Sequence, residues 1–165
     1  MKKYRRFWRL IVSLTITLFA GFLGSLANST SLNDWYPLLN KPFFQPPSWL
    51  FAPVWTLLFI LMGISLFLVW DQGYQKKKDK DKEYRQSALF FFGVQLVANV
   101  LWSFLFFFLQ NPFLAFVEII ILLITIVFNI YYFKTLNRTA AWLLIPYFLW
   151  VCFATVLNFT IWQLN

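Results

Sequence analysis

Side chains able to do chemistry are few in this chain, and they recur at helical spacing inside apolar runs. Gln95, Asn99 and Trp102 stand at i, i+4 and i+7, which puts two amides and an indole on one helix face. Trp55, Phe59 and Met62 repeat the spacing earlier in the chain, and Tyr147, Trp150, Ala154, Asn158 and Ile161 repeat it near the end. Glu118 is the one acid well inside an apolar run, with Asn129 about three turns further on. Indole N–H, amide and flat aromatic surface on three helices suit the lining of a cavity for a large, flat, mostly apolar ligand with a few polar groups. The same residues also fit a plainer role, in which the amides and Glu118 tie neighbouring helices together and bind nothing.

Catalysis has little to work with. The absence of histidine removes the commonest metal ligand, haem ligand and general base. Cys152 is the single cysteine and lies in an apolar run, so no disulfide forms within the chain. Without paired acids, a His/Cys cluster or a glycine-rich phosphate loop, metal-dependent hydrolysis, triad chemistry and nucleotide use are unsupported, and no metal site is expected. One buried acid is a poor relay for ion transport.

The elements that must position these groups follow from composition. The 165 residues are 61% hydrophobic and 23% aromatic but only 12% charged, against roughly 25% charged in soluble domains. The basic excess is confined to short segments between apolar runs, a pattern of membrane topology and not of nucleic-acid binding. About 20 apolar residues cross a hydrocarbon core. Five such runs, 8–28, 48–70, 88–109, 112–133 and 140–162, predict an all-α, five-helix membrane bundle forming one domain over 1–165. Gln110-Asn111-Pro112 makes runs three and four an antiparallel hairpin. Pro146 falls inside the fifth run. The first run also fits a cleaved signal peptide, with a basic start, an apolar stretch and Ser25-Leu26-Ala27. The segment 71–86 reads as a solvated loop of mixed charge.

Between the first two runs, residues 30–47 read as a stiff aromatic lid. Pro37, Pro42, Pro46 and Pro47 restrict its backbone, and Pro46-Pro47 stops any preceding element and suits the start of a helix near Ser48. Trp35, Tyr36, Phe43 and Phe44 make it too apolar for a plain linker, so it should fold back onto the bundle.

Charge sets the expected orientation. Thirteen of the fourteen Lys/Arg residues fall at the N-terminus, in 71–86 and in 134–139, which share one side of a five-span arrangement; only Lys41 falls on the other. The positive-inside rule then puts the N-terminus in the cytoplasm and the C-terminus and the lid outside. It also favours keeping the first span.

The segments WYPLLNKPFFQPPSWLFAPVWTLLFILMGISLFLVW, QLVANVLWSFLFFF and AAWLLIPYFLWVCFATVLNFTIW cover about half the chain. With their Lys-Pro…Pro-Pro-x-Trp…Val-Trp pattern, they resemble the tryptophan-rich sensory protein, or translocator protein, family, also called the peripheral benzodiazepine receptor family. The resemblance implies five transmembrane helices, usually dimeric, in the cell membrane. It implies a pocket toward the first loop for porphyrins, haem-like tetrapyrroles and benzodiazepine-site ligands, held as ligands and not as cofactors. Carried over by position, Trp55 and Trp150 look like pocket tryptophans and, in a photochemical reading, the candidate catalytic residues. Gln95 and Asn99 look like pocket amides, and Glu118 falls where an acidic residue is usual. Trp35, Tyr36, Pro46, Pro47 and Trp49 would form or anchor the lid. Trp102, Tyr147 and Ala154 complete the expected ligand-binding set. The leading expectation is a membrane sensor or receptor; light-dependent protoporphyrin degradation and transport are the alternatives. The cholesterol motif of animal members needs Tyr and then Lys or Arg in the last helix. Phe159 and Gln163 stand there instead, so specific cholesterol binding is not expected.

Overall fold

The computed structural model describes residues 2–72 and 79–165, all helix and connection, with no strand among them. Five stretches are long and apolar enough to cross a membrane. Helix α1 covers Lys2–Ser29, α2 Ser48–Gln72, α3 Asp79–Ser103, α4 Pro112–Leu136, α5 Arg138–Leu143 and α6 Ile145–Leu164. The antiparallel pairs α1–α2 and α3–α4 lie side by side through α1 and α3; α6 packs on α4, and α5 seats against α2 and α4. One core cluster includes Leu58, Met62, Phe92, Leu122, Ile126, Phe133 and Val151. The outward faces, such as Ile120, Ile124 and Val127 of α4, stay apolar and exposed, as lipid-facing residues should.

Helix α1 begins at Lys2, ahead of the expected start at 8, and three further boundaries differ from the sequence-based expectation. The segment expected as a loop is partly helical, since α3 already begins at Asp79. Lys, Glu, Arg and Gln are good helix formers, and an aqueous setting lets the helix run past the apolar stretch. Residues 73–78 of that expected loop lie outside the described residues. Helix α3 does not stay α-helical to its expected end. Over Phe104–Phe108 it widens into a π-helical turn, with Leu109 N donating to Phe104 O at 3.0 Å. The fifth span is two helices meeting at Leu144, and Pro146 sits in the first turn of α6, where its missing N–H costs little.

Local chemistry explains the turns. Gln110 has φ +50°, and Asn111 caps α4 by accepting from Leu114 N at 3.0 Å ahead of Pro112. Asn137 caps α5 in the same way, accepting from Ala140 N at 3.1 Å. At the basic end, Asp71 joins α2 to α1 through Arg9 at 3.0 Å and Arg6 at 3.2 Å. Helices α1 and α2 come close together at Gly63, where an added Cβ would stand 3.0 Å from Leu14 Cα.

The segment between α1 and α2 folds back on the bundle. Residues Tyr36–Leu38 make a short 3₁₀ turn. Tyr36 packs on Phe106 and Phe107 with ring centroids 6.3 and 5.5 Å apart, so the π-helical turn is its seat. Ser31 Oγ donates to the Phe107 carbonyl. Further on, Asn40 and Asn165 exchange hydrogen bonds at 2.9 and 3.1 Å, tying the segment to the end of α6.

Candidate ligand cavity

Aromatic side chains of four helices leave a cavity of about 490 Å³ under this segment. Its walls come from the later part of α1, the start of α2, the end of α3 with its π-helical turn, and α6. Trp55 and Phe59 on α2, one turn apart, stand 5.7 Å apart at 31°, and Trp55 meets the Tyr147 ring edge-on at 6.3 Å. Across the space, Trp150 of α6 contacts Phe51 at 6.0 Å. Trp102 stacks on Phe106 at 5.2 Å, and its indole N–H is used, donating to Asn158 Oδ1 at 2.9 Å. Asn99 donates to the Tyr147 hydroxyl at 3.1 Å.

Two polar atoms at the wall are buried yet have no hydrogen-bond partner among the described residues, the indole Nε1 of Trp150 and Oδ1 of Asn28. One is a donor and the other an acceptor. Leaving such groups dry costs free energy, so a ligand with complementary polar edges gains from meeting them.

Of the residues expected at the ligand, Tyr36, Trp55, Asn99, Trp102, Trp150 and Ala154 line this cavity. The other five do not. Trp35 packs edge-on against Phe106 at 5.7 Å. Trp49 is 72% exposed, on the outward side of the first turn of α2. Gln95 lies one turn along α3 from Asn99 toward the Asp79 end, and Glu118 and Tyr147 are buried behind the wall. Helical spacing identifies a face but not how deep along it a cavity reaches. Asn28, Ser103 and Phe106 line the cavity without having been singled out from the sequence. Asn28 ends an apolar run as a cap or interface residue would, and nothing in its neighbours distinguishes the two.

The fold and cavity define a multi-pass membrane protein with an aromatic-lined chamber beside its first loop. The chain belongs to the TspO/MBR family, whose profile matches residues 13–163. It is 43% identical over 157 residues to the Tryptophan-rich protein TspO of Archaeoglobus fulgidus, covering 95% of this chain and 97% of that one. It is 40% identical to the Tryptophan-rich protein TspO of Chlorobaculum tepidum, covering 94% and 95%. To the Translocator protein of Ovis aries it is 32% identical, covering 88% and 83%. This is a tryptophan-rich integral membrane protein whose surroundings are the lipid bilayer.

Proposed function

We propose that this protein is a membrane sensor or receptor that binds porphyrins and related tetrapyrroles, and benzodiazepine-site ligands, in the cavity between α1, α2, α3 and α6. The observation that carries the reading is the pairing of flat aromatic walls, Trp55, Trp102 and Trp150, with the Trp150 N–H and Asn28 side-chain carbonyl, which have no partner among the described residues. A volume of about 490 Å³ suits one drug-sized, largely apolar ligand. The tetrapyrrole is a ligand and not a resident cofactor. The test is quenching of tryptophan fluorescence in purified protein titrated with protoporphyrin IX in the dark. Saturable quenching, weakened by Trp150→Phe, supports the reading; its absence removes it.

That Trp55 and Trp150 both face this cavity favours one second reading, light-dependent degradation of bound protoporphyrin with dioxygen as the oxidant. Illumination in air, with absorbance followed, tests it; bleaching unchanged in Trp55→Phe and Trp150→Phe rules it out.

The protein is further proposed to act as a homodimer in the cell membrane, with its N-terminus cytoplasmic and its C-terminus outside. Clustering of Arg6 and Arg9 with Lys134 and Arg138 at one side of the five spans supports that orientation. Labelling of an introduced cysteine at Asn165 by an impermeant reagent in whole cells tests it.

A further inference from the structure

Behind the cavity wall lies a second group of polar side chains that the cavity does not use. Asn99 is the partition: it lines the cavity, and its amide donates to the Tyr147 hydroxyl at 3.1 Å on the far side. Tyr147 is 0% exposed and is an electrostatic neighbour of Glu118 on α4. Glu118 is 5% exposed, and neither carboxyl oxygen has a hydrogen-bond partner among the described residues. One turn along α3 from Asn99, Gln95 is 1% exposed, and neither its amide oxygen nor its amide nitrogen has a partner among the described residues. No Lys or Arg occurs between residues 86 and 133, so α4 carries no counter-charge near Glu118.

Polar atoms buried in a membrane bundle cannot turn to bulk water, and lipid offers them nothing. Two atoms on Glu118, beside a tyrosine whose hydroxyl proton also needs an acceptor, and two on Gln95, one turn along α3 from that tyrosine's partner Asn99, lack partners among the described residues, more than packing defects ordinarily supply. A buried water binds where it finds 2–4 polar partners, typically about three hydrogen bonds. The carboxyl of Glu118, the phenol of Tyr147 and the amide of Gln95 supply both donors and acceptors for such molecules.

We propose that Glu118, Tyr147 and Gln95 form an internal site that holds water, separated from the ligand cavity by Asn99. Water there accepts a hydrogen bond from the Tyr147 hydroxyl and donates one in turn to Glu118. The Tyr147 oxygen is thereby left free to accept from Asn99. With its N–H₂ engaged on Tyr147, Asn99 keeps its carbonyl oxygen for the cavity side. Glu118 is thus a positioning residue: it sets the polarity of one cavity wall without touching the cavity. The site stands whatever the cavity binds.

The test is X-ray radiolytic footprinting of the intact protein in nanodiscs, with no ligand added and oxidation read by mass spectrometry. Hydroxyl radicals formed from bound water oxidise the side chains beside it. The reference is Phe133, equally buried at 0% exposure and stacked on Phe92 at 5.7 Å. The expected result is oxidation of Tyr147 several-fold faster than Phe133, falling to the Phe133 rate in Glu118→Leu and retained in Glu118→Gln. Gln95→Leu serves as the second variant should Glu118→Leu fail to fold, with the same loss expected. Tyr147 oxidised no faster than Phe133 in the unaltered protein overturns the proposal. So does Tyr147 oxidation unchanged in the leucine variant, which would trace the radicals to the ligand cavity instead.

Discussion

The indole N–H of Trp102 on α3 is held by the side-chain carbonyl of Asn158 on α6 at 2.9 Å, and Asn158 spends its N–H₂ on the Pro112 carbonyl at 2.8 Å. One amide therefore ties α3, the first turn of α4 and α6 together at the cavity edge. Pro112 O lies where the α3–α4 hairpin turns, and the bond fixes α6 against that turn. Trp102 is oriented by this bond and by its stack on Phe106. Its ring is presented to the cavity as a wall while its only donor is already satisfied.

Asn158→Leu should lower stability by about 1–2 kcal/mol, because it removes both bonds and leaves the Trp102 N–H and the Pro112 carbonyl without this partner. Thermal unfolding in detergent measures the loss. Trp102→Phe removes only one of the two bonds, leaving Asn158 Oδ1 without that partner, and should cost less than Asn158→Leu, which removes both.

Gly63→Ala should destabilise by about 1–3 kcal/mol, since its Cβ would meet Leu14 Cα at 3.0 Å and Thr17 Oγ1 at 2.7 Å. A hydroxyl can rotate away; the backbone of α1 cannot. Gly93→Ala is the matched control, with nothing within 4 Å of its added Cβ. Its unfolding temperature should be unchanged or slightly raised.

Ala154→Phe should abolish saturable quenching by protoporphyrin IX while leaving the fold intact. Ala154 is half-buried and faces the cavity, so an added ring has space to enter and takes the place of a ligand. Retained quenching together with an unchanged unfolding temperature would show that the ligand sits elsewhere.

Tyr36 gives the lid a dependence on alkaline pH. Burial against Phe106 and Phe107 raises its pKa above the ordinary tyrosine value, because desolvation disfavours the phenolate. A group whose folded pKa is raised contributes stability that is complete below its unfolded pKa, near 10, and is lost as pH rises toward the folded one. Docking of the lid should therefore weaken above about pH 10. Tyr36→Phe keeps the ring packing and should remove this part of the alkaline loss, read as proteolytic sensitivity of residues 30–47 against pH.

Much of the architecture was legible in the chain because a bilayer imposes a coarse rule: a span needs length and apolarity, and both can be counted. Runs two and four were found to within a few residues at each end, since Pro46-Pro47 and Asn111-Pro112 mark their starts. The early start of α3 was missed because charged helix formers look the same in a solvated loop and in a helix that projects from the membrane. The break at Leu144 was missed because an apolar run through Pro146 reads as one span, and only the seating of α5 on α2, with Ser65 Oγ donating to Ala140 O at 2.7 Å, makes it two.

The candidate site divides along the same line. Sequence alone determined that α2, α3 and α6 each carry an aromatic and polar face, because side chains at i, i+4 and i+7 must share one side of a helix. Tertiary structure alone decided which part of each face borders the cavity. Helix α3 offers Gln95, Asn99 and Trp102 in one line, yet only the last two reach the space, because Gln95 is buried one turn deeper in the bundle. Depth along a helix depends on where its neighbours diverge. The close contact at Gly63, the widened turn at Phe104–Phe108 and the break at Leu144 interrupt regular helix packing, and none of these has a periodic signature.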